Sequence, residues 1–423
     1  MTGFYPDNSR QFIIYSPNLL KIANSFIYML DRIFGRVMTL KDEKLIQKAC
    51  KKTGLNDFGD NSFREALRIL CEITQKGPRM TAYGRYFTRI DLLRRLMNKL
   101  RIQADITIHT EILDEKINKP IFIIGLPRSG TTFLHRLLAQ DPANRTLKTW
   151  EMNEPSPPPE RSTSETDPRI KKMEKAYSWM YYAMPALKAI HEVDARTPEE
   201  CILLMANGFI SEYFTMGIGA HPDYSDWLYS QDLTSIYTFH KQQLQLLQWK
   251  YPTVRWVLKA PFHLHGLKWL LDVYSDARIL HVHRNPLEVL PSAASLLATT
   301  MACVFSNVDP VAIGQKVTHG LAGILWSGIK ARLSSEMKQN CQAVFLDIYY
   351  KELVADPIST VRKVYNNFGL NLSDKVLKSM QCFLDKNPQY GHGRHRYTLD
   401  MFGLKKDTER RRFRRYIEYF GLN

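Results

Sequence analysis

The chain has 423 residues, of which 44% are hydrophobic and 24% are charged. This composition supports a buried core and excludes a mainly disordered chain, a collagen-like repeat and a small disulfide-stapled protein. The chain has 58 lysine and arginine residues and 42 aspartate and glutamate residues, which gives a net charge of +16. This charge favours anionic partners, which could be phosphates, nucleic acid or acidic lipids.

The six cysteines are scattered and show no CxxC or Cys/His spacing. We therefore expect a reducing, cytoplasmic compartment, with neither a disulfide framework nor a metal site. No stretch reaches the roughly 18 uninterrupted apolar residues of a membrane-spanning helix, and the first thirty residues lack the features of a signal peptide. A soluble or peripheral protein is predicted.

Residues 1–118 are predicted to form a helical region that packs on the rest of the chain. Between Pro17 and Met38, apolar residues recur at helical spacing. This pattern indicates either a helix packed on the protein body or a helix lying at a membrane surface. A second predicted helix, over residues 85–101, carries many basic residues and only one acid, Asp91. Its face is expected to be solvated or to contact lipid.

Residues 119–423 are predicted to form an α/β core. Four short apolar runs alternate with helical stretches, which is typical of a parallel β-sheet flanked by helices. The Pro/Ser-rich residues 153–168 are predicted to form a loop, and residues 171–250 to be helices inserted into the core. The basic residues 405–415 are predicted to be solvated surface. The four predicted strands cover residues 120–125, 254–261, 277–284 and 343–350.

The first predicted strand leads into the turn GLPRSGTT, residues 125–132, and a helix follows. Backbone N–H groups of such a turn form a concave anion site with the helix N-terminus. The GxxxxG spacing is that of a phosphate-binding P-loop, so the sheet is predicted to be of the P-loop type. Thr131 replaces the usual lysine, which argues against a nucleoside triphosphatase. The candidate anion-binding residues are Pro127, Arg128, Ser129, Gly130, Thr131 and Thr132.

A second motif follows the third predicted strand, which ends at Arg284. Asn285 suits a helix N-cap and Pro286 the first helical position, with Glu288 completing a capping box. Ser292 lies two turns into this helix, so Arg284 and Ser292 could grip one phosphate from two sides. The alternative is a well-capped helix with an ordinary arginine. Pro291 is expected to kink the helix beside Ser292.

Together the two motifs resemble those of the sulfotransferases that use 3′-phosphoadenosine 5′-phosphosulfate (PAPS), in their large bacterial-type branch. The P-loop with Arg128 is similar to that of the tyrosylprotein-type branch. The segments WEMNEP, TPEEC, LKAPFHL and YGHGRHRYTLDMFGL add to the likeness. The resemblance implies that the first loop holds the 5′-phosphosulfate of PAPS and that Arg284 and Ser292 hold its 3′-phosphate. It also implies that Lys259 lies near the transferring group.

Sulfuryl transfer has a loose transition state by analogy with phosphoryl transfer, and the SO₃ group carries less charge than a phosphoryl group. Arg128 and Lys259 are therefore the candidates that stabilise its charge without a metal ion. The resemblance implies that Glu151 is the base for the acceptor hydroxyl, and His191 is the alternative. Arg394 or Arg396 is expected to reach the 3′-phosphate, unless their loop is plain solvated surface.

Other candidates for the base are weaker. His263 and His265 follow Lys259, where the cytosolic branch of the family has a histidine, but they are several residues out of register. Glu199 and Glu200 are assigned structural or orienting roles.

The predicted function is transfer of the sulfuryl group of PAPS to an apolar small-molecule or lipid alcohol or phenol. Aromatic and methionine side chains in the inserted helices favour such an acceptor. One alternative is a P-loop small-molecule kinase, for which Asp347 would be the carboxylate that binds Mg²⁺. Another is a non-enzymatic basic membrane-associated protein. No nucleic-acid-binding motif is present, so no nucleic-acid partner is expected, and contact with a membrane surface stays open.

Overall fold

The computed structural model describes residues 22, 24–26, 29, 30, 40–76, 80–183, 193–216, 222–305, 308–336, 344–387 and 397–422. Of the first predicted helix it describes Ile22, Asn24, Ser25, Phe26, Met29 and Leu30, all of which are helical.

A five-stranded sheet forms the centre of the described structure. Its strands are parallel throughout and follow the order β2–β3–β1–β4–β5. All four strands predicted from the sequence are present, and the two-residue β2 at the edge is an addition. The strands are β1 (Ile121–Gly125), β2 (Asn144–Arg145), β3 (Arg255–Lys259), β4 (Arg278–His283) and β5 (Val344–Tyr349).

Helices surround this sheet and occupy most of the remaining described chain. They are α1 (Asp42–Thr53), α2 (Phe63–Lys76), α3 (Ala82–Ile108), α4 (Thr131–Leu138), α5 (Thr149–Asn153), α6 (Pro168–Ala183), α7 (Cys201–Met205), α8 (Pro222–Ser230), α9 (Thr234–Trp249), α10 (Leu267–Val273), α11 (Pro286–Val304), α12 (Pro310–Glu336), α13 (Tyr350–Ala355), α14 (Pro357–Asn367), α15 (Asp374–Lys386) and α16 (Lys406–Tyr419).

The sheet is covered on both faces, as a parallel sheet must be when helices connect its strands. Phe122 and Ile124 of β1 point into a large core that contains residues from α2, α3, α9 and α11. Ile121 and Ile123 point to the opposite face, against Leu134 of α4 and the helices α14 and α15. This alternation explains why every residue of β1 is buried and why its sequence is continuously apolar.

The amino-terminal helices share the large core with the α/β unit. Leu67 of α2 and Leu96 of α3 belong to the same buried cluster as Leu258 of β3. Residues 154–167 form turns and loop, as predicted. No helix among the described residues combines the length and the apolar character that crossing a membrane requires.

The basic carboxy-terminal run is helical, and only one side of it is solvated. Phe413, Tyr416 and Ile417 of α16 are buried, whereas the neighbouring arginines are exposed. The Tyr416 hydroxyl lies 2.7 Å from Nδ1 of His283, at the carboxyl end of β4. Helix α16, which contains most of the run predicted as solvated surface, thus also packs against β4 through Tyr416.

Candidate active site

The turn between β1 and α4 has the backbone of an anion-binding loop. Arg128 has φ 65° and Gly130 has φ 96°, both in the left-handed region. A Cβ atom on Gly130 would lie 2.9 Å from the Tyr350 ring, and one on Gly125 would lie 2.5 Å from the carbonyl oxygen of Val282. Both glycines are therefore required. Gly130 caps α4 without a side-chain acceptor, so the first N–H groups of the helix are left for a ligand.

Ser129 gives a direct indication that the loop binds a polar ligand. Its side chain is fully buried, and Oγ has no hydrogen-bond partner among the residues that the structure describes. Buried hydroxyls almost always have a partner in folded proteins. The unpaired hydroxyl, the glycine turn and the helix N-terminus together offer hydrogen-bond donors for an anionic group.

The two sequence motifs meet at Arg128. Its Nε donates a hydrogen bond to Oγ of Ser292 at 3.0 Å, across 164 residues of sequence. Nη1 of Arg284 donates to the backbone oxygen of Arg128 at 2.8 Å. The Arg284 guanidinium also lies over the Tyr350 ring, 4.0 Å from its centroid. Arg284 and Ser292 thus both contact this loop, as they would have to if both bound one nucleotide.

The helix that carries Ser292 has the predicted N-cap and first residue, whereas Glu288, predicted to complete a capping box, pairs with Arg284. The side chain of Asn285 accepts a hydrogen bond from the backbone N–H of Leu287 at 3.0 Å, and Pro286 occupies the first helical position. The Glu288 carboxylate accepts a hydrogen bond from Nε of Arg284 at 3.0 Å. Helix α11 continues through Pro291 to Val304, so Ser292 keeps its helical position.

Lys259 lies at the end of β3, beside the helix of the P-loop. Its side chain is fully buried, and Nζ donates hydrogen bonds to Oγ1 of Thr132 at 3.1 Å and to Oε1 of Glu200 at 2.5 Å. An ammonium group needs such partners to be buried at all. The structure therefore brings together three predicted residues, Lys259, Thr132 and Arg128, at one loop.

Glu200 connects this loop to a second carboxylate, Glu212. The Tyr229 hydroxyl donates a hydrogen bond to Oε1 of Glu212 at 3.3 Å. Burial first, and then the negative charge of Glu200, raise the pKa of Glu212 to about 7. A carboxylate close to a second negative charge is harder to ionise, and here that carboxylate is Glu212. Glu200 thus interacts with both Lys259 and Glu212.

Glu212 leads to a prediction about stability and pH. Because its pKa is raised from 4.5 to about 7 in the folded state, its stabilising contribution is complete below about pH 4.5 and is lost as the pH rises through 7. Glu200, Tyr229 and Tyr237 are the titratable groups facing it. Glutamine mimics the protonated form, so Glu212→Gln should gain thermal stability relative to wild type between pH 5 and pH 8.

The measurement is thermal unfolding of both proteins at several pH values in that interval. Glu160→Gln, at an exposed glutamate paired with Lys250, is the control and should show a constant difference from wild type. A constant difference for Glu212→Gln as well would contradict the raised pKa.

Glu151, the base that the family resemblance implies, has two hydrogen-bond partners close to it in the chain. It is buried near the start of α5, where Nη2 of Arg145 donates to Oε1 at 3.0 Å and the backbone N–H of Lys148 donates to Oε2 at 3.2 Å. The Arg145 guanidinium in turn stacks on the rings of Tyr251 and Trp256. Both carboxylate oxygens are therefore held by the chain around β2.

The two histidines after Lys259 belong to the core. His263 is fully buried with Nδ1 2.9 Å from the Tyr237 hydroxyl, and burial lowers its pKa well below the usual value. His265 packs against the Tyr229 ring, and burial lowers its pKa to about 4. His191, Arg394 and Arg396 lie outside the described residues.

One group of side chains has the composition of a metal site. His281, His283 and Asp347 place one ligand atom each within 4.8 Å of one another. However, Arg332 donates to both oxygens of Asp347, and Nε2 of His283 lies 2.8 Å from the same carboxylate. These partners hold the pKa of Asp347 well below its usual value although burial opposes them. Asp347 is thus engaged in a partly buried ion pair with Arg332.

Sequence reasoning missed two features of this region. The contact of Glu200 with Lys259 was not predicted, although the TPEEC segment that contains Glu200 was part of the family resemblance. A cleft of about 360 Å³ also lies beside the start of α11 and contains Lys406 and Arg410 of α16. The basic composition of residues 405–415 was its only sequence signal.

Comparisons with known proteins identify the family of this chain. Residues 120–374, more than half of the chain, match the model of a family described as the sulfotransferase family. The omega-hydroxy-beta-dihydromenaquinone-9 sulfotransferase Stf3 of Mycobacterium bovis is 22% identical over 308 residues, which cover 66% of this chain and 70% of that protein.

Two solved structures are similar over nearly the whole chain. The crystal structure of sulfotransferase STF9 from Mycobacterium avium has a TM-score of 0.82 and 28% identity, covering 92% of this chain and 98% of that one. Sulfotransferase STF1 from Mycobacterium tuberculosis has a TM-score of 0.77 and 32% identity, covering 89% and 98%.

Proposed function

The chain belongs to the sulfotransferase family, and we propose that it moves the sulfuryl group of PAPS to a hydroxyl of a lipid or other apolar small molecule. The observation that carries this proposal is the meeting of the two motifs. Arg128 of the P-loop contacts Ser292, and Arg284 contacts the backbone of Arg128. A nucleotide with phosphates at both 5′ and 3′ positions would need this pair of neighbouring sites.

Each residue of the loop has a chemical task in this proposal. Ser129, Thr131 and Thr132 hydroxyls and the N–H groups of the turn hold the 5′-phosphate and the sulfuryl oxygens. Arg128 and Lys259 stabilise the negative charge that develops as the bond from sulfur to the 5′-phosphate oxygen breaks. A new bond forms from sulfur to the acceptor oxygen, and the acceptor proton passes to a base. The products are a sulfate ester and 3′-phosphoadenosine 5′-phosphate.

Calorimetry with 3′-phosphoadenosine 5′-phosphate tests the donor site, because that nucleotide carries both phosphates and no sulfuryl group. We expect it to bind much more tightly than adenosine 5′-phosphate. Equal affinity for the two nucleotides, or no binding of either, would contradict a PAPS site.

Turnover is expected to be unchanged by EDTA. The candidate charges on the transferring group come from Arg128 and Lys259, and no metal is assigned a role. The measurement is sulfate-ester formation from PAPS after dialysis against EDTA, compared with the same sample after Mg²⁺ is added back. A strict requirement for Mg²⁺ would favour the kinase alternative, in which the Asp347 carboxylate would bind the metal. In the structure, Arg332 donates hydrogen bonds to both oxygens of that carboxylate.

The acceptor is proposed to be an apolar alcohol or phenol. Stf3 is named for a hydroxylated menaquinone, which is a lipid. In this chain, the rings of Tyr229, Phe262 and His265 pack together beside the Glu212 carboxylate that neighbours Glu200. Mass spectrometry of products from PAPS and a panel of phenols, sterols and primary alcohols of increasing length would identify the class. Sulfation of hydrophilic alcohols alone would contradict the proposal.

An apolar acceptor would be collected from a membrane, and α3 offers a surface for that contact. One side of this helix exposes three large apolar side chains, Tyr86 (56% exposed), Phe87 (38%) and Ile90 (46%), with Arg89 between them. Exposed aromatic and aliphatic side chains beside a cation suit the interface of an anionic bilayer. A cytoplasmic location is proposed as well, supported by the free cysteines Cys50, Cys71, Cys201 and Cys382.

Flotation with vesicles tests the membrane contact. The wild-type protein should bind vesicles containing phosphatidylglycerol, and the double variant Tyr86→Ser/Ile90→Ser should lose most of that binding while keeping nucleotide affinity. Ile108→Ser, at a 72% exposed position on the same helix, is the matched control. Equal loss in both variants, or no binding by the wild type, would exclude this surface.

A further inference from the structure

Glu200 is the carboxylate that contacts a predicted catalytic cation. Its Oε1 lies 2.5 Å from Nζ of Lys259, which in turn donates to Oγ1 of Thr132 at 3.1 Å. Thr132 is the second residue of α4, directly after the P-loop. Two hydrogen bonds therefore connect Glu200 to the loop at which the sulfuryl group would be held.

The two partners of this ion pair differ in exposure. The Lys259 side chain is fully buried, whereas 17% of the Glu200 side chain is exposed. A base must come within hydrogen-bond distance of the acceptor hydroxyl, which has to enter from outside. Glu200 thus has both an inner contact with the reacting loop and an outer surface for the acceptor.

Glu151 lacks this combination. Its side chain is 1% exposed, and its two oxygens accept hydrogen bonds from Arg145 and from the backbone of Lys148. A buried carboxylate held by an arginine and a backbone N–H stabilises the fold and has little freedom to take a proton. These surroundings favour a structural role for Glu151.

We infer that Glu200 is the base that accepts the proton of the acceptor hydroxyl, and that Lys259 holds it until the donor binds. The inference rests on the proposed sulfotransferase function. Without donor, the Lys259 ammonium occupies Oε1 of Glu200. Bound sulfuryl oxygens offer that ammonium a second anionic partner, and its shift towards them leaves Oε1 free to accept a hydrogen bond from the hydroxyl.

The proton and the charges balance in this step. As the acceptor oxygen bonds to sulfur, its proton moves to Oε1 of Glu200, and the electron pair of the broken bond stays on the 5′-phosphate. Lys259 stabilises that leaving group.

The first test is the variant Glu200→Gln, which keeps the shape of the side chain and removes the basic oxygen. Turnover with PAPS and the best alcohol of the acceptor panel should fall at least about 10²-fold. The affinity for 3′-phosphoadenosine 5′-phosphate should stay within about threefold of the wild-type value, because the base does not touch the nucleotide. Added formate should restore part of the turnover in Glu200→Ala.

Glu151→Gln is the matched variant. It should lower the unfolding temperature through loss of the Arg145 ion pair, with turnover per folded molecule close to wild type. Near-normal turnover in Glu200→Gln would overturn the inference. So would a large loss of turnover in Glu151→Gln with unchanged nucleotide affinity.

A pH–rate profile separates proton transfer from a purely structural role of Glu200. The wild-type kcat should fall at acid pH as the base is protonated, and the residual kcat of Glu200→Gln should lack that limb. Lys259, Glu212 and Cys201 are the titratable groups facing Glu200. An unchanged acid limb in Glu200→Gln would assign the proton to another group. If the wild type transfers no sulfuryl group from PAPS, the proposed function itself is wrong. The calorimetry with 3′-phosphoadenosine 5′-phosphate tests the nucleotide site of that function independently of Glu200.

Discussion

Replacement of Lys259 by methionine is expected to lower turnover by about 10³-fold, which is the scale observed when one charge-stabilising donor is removed from an active site. Methionine retains the length and apolar body of the lysine side chain, so the fully buried position stays filled. What is lost is the ammonium group that contacts Thr132 and Glu200. That group is the nearest candidate for stabilising the charge that develops on the leaving phosphate.

The loss should appear in kcat more than in nucleotide affinity, because the charge that Lys259 stabilises is largest in the transition state. Rapid-quench measurement of PAPS consumption would isolate the chemical step. Lys250→Met, at a lysine that pairs with Glu160 at the surface, is the control and should keep normal turnover. Equal turnover in the two variants would remove Lys259 from the mechanism.

Replacement of Arg284 by alanine is expected to raise the Kd for 3′-phosphoadenosine 5′-phosphate by about 30-fold to 10³-fold, or about 2–4 kcal/mol. A guanidinium held by the Tyr350 ring and by the backbone oxygen of Arg128 is preorganised for a phosphate. Its removal would leave the 3′-phosphate without that charged partner. The affinity for adenosine 5′-phosphate should change little, because that nucleotide has no 3′-phosphate.

The comparison of the two nucleotides also tests a structural alternative. Arg284 donates a hydrogen bond to the backbone of Arg128. Its loss could therefore loosen the P-loop and lower the affinity for both nucleotides equally. Equal weakening would show that Arg284 supports the loop and does not bind the 3′-phosphate. Arg278→Ala, at the opposite end of the same strand and over the Phe368 ring, should leave both affinities unchanged.

Much of this site was predictable because its geometry is local. The strand, the two glycines and the following helix lie within a few residues, and a left-handed φ at Gly130 is a property of the turn itself. Asn285 and Pro286 begin α11 for equally local reasons. Runs of buried apolar residues predicted four of the five strands, since a strand covered on both faces has no polar side.

The two-residue strand β2 was beyond such reasoning. Asn144 and Arg145 are too short a run to show a period, and their pairing with Arg255 and Trp256 exists only because β3 lies alongside. This strand places Arg145 where its guanidinium reaches Glu151. The contact between this arginine and Glu151 could not be predicted from the order of residues.

The glycine turn after β1, the N-cap of α11 and the α/β class could be predicted from the sequence, because each depends on residues close together in the chain. The contacts of Ser292 with Arg128 and of Glu200 with Lys259 depend on how distant segments pack, so they are seen only in the folded protein. Buried charges are costly without a partner, so each is paired with whichever opposite group the packing brings nearest. The packing of strands and helices far apart in sequence determines these partners. It pairs Glu151 with Arg145, and Glu200 with Lys259 beside the P-loop.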